Sequence, residues 1–309
     1  MQTNQPGTPG IDIGINIDID IESARELETI AVAAAVAAGR LIHDERPAQL
    51  TTASTKTSDT DVVTIMDTRA EALLGDFLRA ARPGDGFYGE EGAPVASATG
   101  ITWVVDPVDG TVNYLYGVPM YAVSVAAVVG EPDRSGEWTP VAGAVCAPGL
   151  DTVWSAARGG GARRRTMQAG LSGSPGETVH VGRCADLAMA LVGTGFAYLA
   201  EERARQGRVL ASLLPSIRDI RRLGSAAIDL CLIADGRLDA YFEAGLRPWD
   251  VAAGWLMIAE AGGRVVGPRG AGPDRTLTLA GNLTLVSDLL KRVDPDLVSD
   301  DTPRNSDTE

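Results

Sequence analysis

Imidazole is nearly missing from this chain: among 309 residues there are only His43 and His180, and neither lies in a ligand-like cluster. That argues against a histidine-built zinc centre and against a Ser-His-Asp triad. Cysteine is almost as scarce, and Cys146, Cys184 and Cys231 show no CxxC spacing, so they read as reduced thiols of a cytoplasmic protein. Positive charge is in short supply, with 27 Lys and Arg against 41 Asp and Glu and a formal net charge of −14. Duplex nucleic acid is a poor partner for such a chain, and an anionic substrate would be repelled unless local cations reverse the sign. Neither a membrane-length apolar run nor a basic-then-apolar leader is present, so no membrane partner is expected. What the chain does have is 45% hydrophobic residues, enough for a large core in one big domain or two small ones.

Its organising stretch is Trp103-Val104-Val105-Asp106-Pro107-Val108-Asp109-Gly110-Thr111. The apolar run reads as the end of a buried strand, and Pro107, having no N–H, should stop its ladder. Gly110 allows close backbone approach, and Thr111 can cap a following helix. Asp106 and Asp109 flank the turn with no cation beside them in sequence. Two readings stand: acids gathered around a hard, oxygen-seeking ion such as Mg²⁺, or a solvated Asp-rich turn.

Upstream, residues 1–21 repeat Ile-Asp among Gly, Pro and Gln and are expected to be a disordered tail. Residues 22–44 read as a mostly buried helix, and 51–61 as a polar loop carrying Lys56, a residue type that is ordinarily just solvated there. Val62 to Ile65 reads as a strand, and 68–80 as an amphipathic helix with Asp67 at its N-cap. Gly89-Glu90-Glu91-Gly92 follows an aromatic pair, and its glycines suggest a backbone bent to aim a carboxylate inward. Downstream, a Pro148-Gly149 turn should join two strands of a hairpin, and Arg163 to Arg165 should form a solvated basic loop. Beyond about residue 181 strands and helices alternate. A helix over 226–234 opens with Gly224-Ser225, whose N–H groups could seat an anion, and another opens at Pro248-Trp249-Asp250 with Asp250 as N-cap. Residues 294–309 read as a frayed acidic tail. The whole is α/β of the α+β type: a single fold over 22–293, with an N-terminal half to about 180 and a C-terminal α/β half thereafter.

Taken together these segments resemble the inositol monophosphatase family of the Mg²⁺-dependent, Li⁺-sensitive sugar phosphatases. The matching pieces are Lys56, Asp61 to Asp67, Gly89 to Gly92, Trp103 to Thr111, Gly224 to Ala227, Asp239 to Glu243 and Trp249-Asp250, in that order. Arg221 to Ser225 and Leu191 to Phe196 look most like the bacterial inositol-1-monophosphatase branch. The resemblance implies a layered αβαβα sandwich, commonly a homodimer, hydrolysing myo-inositol 1-phosphate or another small phosphate ester. Histidinol phosphate, fructose 1,6-bisphosphate and a 3′-phosphoadenosine nucleotide are rival substrates, and a non-catalytic regulatory protein on the same fold is a rival of another class.

It further implies two or three Mg²⁺ ions. Glu90, Asp106 and the Val108 carbonyl would hold one, Asp106, Asp109 and Asp250 a second, and Glu90 would loosely hold a third. Glu90 and Thr111 would orient the attacking water, with Asp67 bonding Thr111 and Lys56 nearby. The amides of Gly110 and Thr111 would grip phosphate. Glu243, Asp250 and the amides around Ser225 and Ala226 would meet the substrate. Arg247, beside the Trp-Asp pair, departs from the family pattern and could contact substrate or a second subunit.

Overall fold

A computed structural model describes residues 19–48, 54–55 and 62–294. In chain order the elements begin with α1 (Ile21–Asp44), β1 (Ser54–Thr55), β2 (Val62–Val63), α2 (Ile65–Ala81), β3 (Gly86–Gly89), β4 (Ile101–Asp109) and α3 (Thr111–Tyr116). Next come β5 (Ala122–Gly130), β6 (Trp138–Ala147), β7 (Thr152–Ala157), β8 (Gly161–Arg165), α4 (Met167–Leu171) and β9 (Glu177–Thr178). The chain closes with β10 (Leu191–Thr194), α5 (Ala200–Leu213), β11 (Asp219–Arg221), α6 (Ala226–Ala234), β12 (Ala240–Glu243), α7 (Pro248–Glu260), β13 (Arg264–Val266), β14 (Thr278–Gly281) and α8 (Leu283–Val293).

Two sheets carry the architecture. Strands β3 to β9 lie side by side in chain order in a seven-stranded sheet, antiparallel except for the β3–β4 pair. The second sheet runs β11-β10-β12-β14-β13, with β10 parallel to both its neighbours. Alternation along the central strands divides the core. Trp103 and Val105 of β4 and Val123 and Val125 of β5 face α1 and α2, where Ala31, Ala35 and Leu74 meet them. Val104, Ala122 and Ala126 face the other way, onto α6 and α7. The far side of the second sheet is covered by α5 and α8 through Leu213, Leu285 and Leu289. The layers therefore run helix, sheet, helix, sheet, helix, as the resemblance implies.

Four sequence expectations change. Pro107 does not end β4: pairing continues to Asp109 across a register shift, with one extra residue opposite Ser124 and Ala122, and a bulge is where a sheet accommodates a missing N–H. Arg163 to Arg165 form strand β8 instead of a solvated loop. Arg164 bridges Asp235 at 2.7 Å and Glu177 at 2.9 Å, and Arg165 lies 3.6 Å from Glu28. The first tail ends sooner than residue 21, because Asp20 caps α1 by accepting the Ser23 amide at 2.7 Å. Asp294 is not frayed: it is buried and its carboxylate accepts the Arg269 amide at 2.7 Å.

Candidate active site

The bulge at the end of β4 turns the chain out of the sheet and gathers acids from three elements. Asp106 accepts the Val108 amide at 3.0 Å, a local turn that the Pro107 bulge permits. Gly110 then takes φ +88°, a left-handed conformation, and a side chain there would run into the Met120 carbonyl at 2.9 Å and the Gly224 carbonyl at 3.0 Å. Asn113 of α3 closes this junction, its amide donating to the carbonyls of Met120 at 2.7 Å and Leu223 at 2.8 Å.

Asp109 points across to the start of α6. Its Oδ2 accepts the Ser225 hydroxyl and the Ala227 amide, the latter at 2.7 Å. The α6 N-terminus, expected to offer its amides to a ligand, thus commits the Ala227 N–H to a carboxylate of the protein. Asp250 reaches the same place from α7. It is the third residue of that helix and not its N-cap, and its Oδ2 takes the Arg247 amide at 2.7 Å. Ser124 of β5 donates to the Trp249 carbonyl at 3.1 Å and fixes the helix start against the larger sheet.

Asp106, Asp109 and Asp250 converge so that one oxygen of each lies within 4.8 Å of the others, the first two buried and the third half-buried. Burial raises the Asp109 carboxyl above its usual range. It raises Asp250 well above, with the neighbouring charges of Glu90 and Asp109 adding to the push. Three carboxylates in that space repel one another in a low dielectric, and a divalent cation is what relieves them. The donors are all oxygen, which suits a hard ion. The set fits a metal.

Glu90 lines the same cleft, just beyond β3. The glycines around it serve packing: a side chain at Gly89 or Gly92 would overlap the Glu71 carboxylate. Buried Glu71, on α2, accepts the Glu91 amide at 2.8 Å and so anchors the loop that carries Glu90. Sequence reading missed Glu71, though two glycines three residues apart in an acidic loop were a sign of something packed against them.

Thr111 lines the cleft as well. Its hydroxyl is 2.9 Å from the Val108 carbonyl and 3.2 Å from Asp67 Oδ1. Asp67 is the third residue of α2; the N-cap is Thr64, whose amide and hydroxyl both donate to Asp67 Oδ2 while its Oγ1 accepts the Met66 amide. Burial raises the Asp67 carboxyl. Lys56 lies outside the described residues.

The cleft that these groups line has a volume of about 880 Å³ and runs on to Ser225, Ala226, Asp229, Glu243 and Arg222. Glu243, at the end of β12, accepts the Tyr241 hydroxyl, and burial pushes its carboxyl up to about 7. Asp229, on α6, was not singled out in the sequence. It is buried, its Oδ1 finds no hydrogen-bond partner, and burial together with the Glu243 and Asp109 charges raises it well above the usual range. Among the described residues no helix is long and apolar enough to cross a membrane.

Comparison with known proteins places the chain in one family. The family model for the inositol monophosphatase family matches residues 23–297. The inositol-1-monophosphatase SuhB of Mycobacterium tuberculosis is 49% identical over 219 residues, covering 68% of this chain and 70% of that protein. A protein of Xylella fastidiosa named Nus factor SuhB is 38% identical over 232 residues, covering 72% of this chain and 78% of its own. A solved structure of Mycobacterium tuberculosis SuhB superposes with a TM-score of 0.71 at 40% identity, over 87% of this chain and 96% of that one. The layered fold, the carboxylate cluster and these likenesses have one meaning: the chain belongs to the inositol monophosphatase family.

Proposed function

We propose that the protein is a Mg²⁺-dependent phosphomonoesterase that hydrolyses myo-inositol 1-phosphate to inositol and phosphate. The observation that carries this reading is the convergence of Asp106, Asp109 and Asp250 at the end of a cleft also lined by Glu90, Thr111 and Glu243. Asp106, Asp109 and Asp250, with Glu90 and the Val108 carbonyl, are the residues that would hold two or three Mg²⁺. When bound, such ions polarise the phosphoryl group and lower the pKa of coordinated water.

The chain's own groups do the rest. Thr111 Oγ has one hydrogen and two acceptors, Asp67 Oδ1 and the Val108 carbonyl. A lone pair on that oxygen can accept a proton from water as the hydroxyl's own proton passes to Asp67. Thr64 clamps the other Asp67 oxygen, so that Oδ1 keeps its aim. The amides of Gly110 and Thr111 are assigned to the phosphate, and Glu243 with the backbone around Ser225 and Ala226 to the polyol hydroxyls. Lys56 keeps the supporting role that the resemblance gives it. Inhibition by millimolar Li⁺, a homodimer and a cytoplasmic location complete the proposal.

A second reading has one observation in its favour, the name Nus factor borne by a 38% identical relative. A regulatory protein has no need of the acid cluster, so turnover separates the two. Phosphate release is to be measured over a panel of inositol 1-phosphate, histidinol phosphate, fructose 1,6-bisphosphate and 3′-phosphoadenosine 5′-phosphate, with Mg²⁺ and with chelator. We expect inositol 1-phosphate to be cleaved fastest, and only with the metal; a rate indifferent to chelation would overturn the metal assignment.

A further inference from the structure

Asp229 is a buried acid that neither the carboxylate cluster nor the proton path through Thr111 uses. It lies on α6 one turn beyond the Ser225 cap, lines the cleft and is only 1% exposed. Its Oδ1 finds no hydrogen-bond partner. The charges it faces are those of Glu243 on β12, Asp109 at the end of β4 and, opposing them, Arg222, which is exposed at the cleft wall. Tyr241 gives its hydroxyl proton to Glu243 and has no second one for Asp229.

The strand beside these acids is cut back to make room for them. A side chain at Gly193 of β10 would come 2.9 Å from Tyr241 and 3.4 Å from Asp229 Oδ1. One at Gly195, just past the strand, would overlap the Glu243 carboxylate. Residues two apart on a strand share a face and lie about 7 Å from each other. The two missing side chains thus leave a pair of carboxyls, Asp229 and Glu243, along one wall of the cleft. A buried carboxyl without a partner is costly, and a ligand that supplies the missing bond relieves it. A hydroxyl both donates and accepts, so it satisfies this carboxyl with or without a proton on it. A phosphate or carboxylate instead brings negative charge to a wall that already holds two acids.

We propose that Asp229 is a specificity-determining residue that hydrogen-bonds a ring hydroxyl of the polyol beside the one met by Glu243, and so selects neutral, hydroxyl-rich rings over rings bearing a second anion. This rests on the phosphatase reading, which puts the ester phosphate at the end of the cleft held by Asp106, Asp109 and Asp250. Inositol 1-phosphate and cyclohexyl phosphate share a six-membered ring and one phosphate, differ in the ring hydroxyls, and are the probes. Their affinities are measured by calorimetry with Mg²⁺ in a Thr111→Val background, where turnover is slowed, with and without Asp229→Leu and Asp229→Asn. Both changes keep the shape of the side chain; leucine removes its hydrogen bonding and asparagine retains it. We expect Asp229→Leu to weaken inositol 1-phosphate about tenfold or more and to leave cyclohexyl phosphate no weaker. Its melting temperature should not fall, because nothing in the fold bonds Oδ1. Asp229→Asn should hold inositol 1-phosphate within about threefold of the background protein.

A leucine variant that weakens both esters alike, weakens neither or fails to fold would overturn the contact, and so would an asparagine variant as poor as leucine. Phosphate release from both esters by the parent protein, followed in parallel, separates the two readings. Release with no affinity response to Asp229 removes the contact and leaves the phosphatase. A hydroxyl preference that follows Asp229, in a protein releasing no phosphate, does the reverse.

Discussion

Two charged clusters lie four strands apart on the larger sheet, and the chain treats them in opposite ways. On β8, Arg164 is neutralised by Asp235 and Glu177, and Arg165 is set against Glu28. Beyond β4, Asp109 and Asp250 have no Lys or Arg within ion-pair distance among the described residues, and they are steadied by amides and the Ser225 hydroxyl. The first cluster is complete without anything from outside. The second is held in shape while its charge is left over, which is the arrangement of a site that takes its cation from solution.

The largest effects should fall where charge is left over. Asp109→Asn keeps an acceptor for Ser225 and Ala227, so we expect phosphate release to drop about 10³-fold with little change in melting temperature. Arg164→Met should show the converse: turnover within about twofold of the parent, and a loss of about 1–2 kcal/mol in denaturant unfolding, moderated because Arg164 is partly exposed. Were the effects exchanged, with Asp109→Asn unfolding and Arg164→Met inactive, the contrast between the clusters would fail.

Thr111→Val sharpens the picture at the next level. Loss of the hydroxyl between Asp67 and Val108 should slow turnover about 10²-fold, while Thr111→Ser recovers most of the rate in steady-state assays. If valine were as active as threonine, the proton path through Asp67 would be wrong.

The fold and much of the site were legible wherever the signal is contiguous. The helix over 226–234 is observed as Ala226–Ala234, because its apolar run and Ser225 cap lie side by side in sequence. Asp106, Asp109 and Gly110 could be read from one turn. Elsewhere the deciding contact comes from far along the chain. Nothing next to Arg164 announces Asp235, 71 residues away, so its strand looked like a solvated loop. Glu71 is buried because Gly89 and Gly92 leave it room. Asp67 and Asp250 were placed one turn too early: an acid at the third helical position and one at the N-cap look alike until the backbone partner is known, and here Thr64 and Arg247 hold the cap positions.

The smallest expected effect is a pH dependence. Glu243 in the folded chain has its carboxyl raised from 4.5 to about 7 by burial. A raised carboxyl binds its proton more tightly in the folded state, so its contribution is complete below the unfolded value and is lost as pH rises through the folded one. Metal-free protein should therefore lose stability as the pH climbs from about 4.5 to about 7, and Glu243→Gln should flatten that slope in melting curves taken across the range.

The most direct measurement is a crystal structure of the protein soaked with Mn²⁺ in place of Mg²⁺, with data collected at the manganese edge. We expect anomalous peaks between Asp106, Asp109 and Asp250, and their disappearance in Asp109→Asn. A fully active, Mn²⁺-loaded crystal with no peak among those three carboxylates would contradict the claim that they cage the cation.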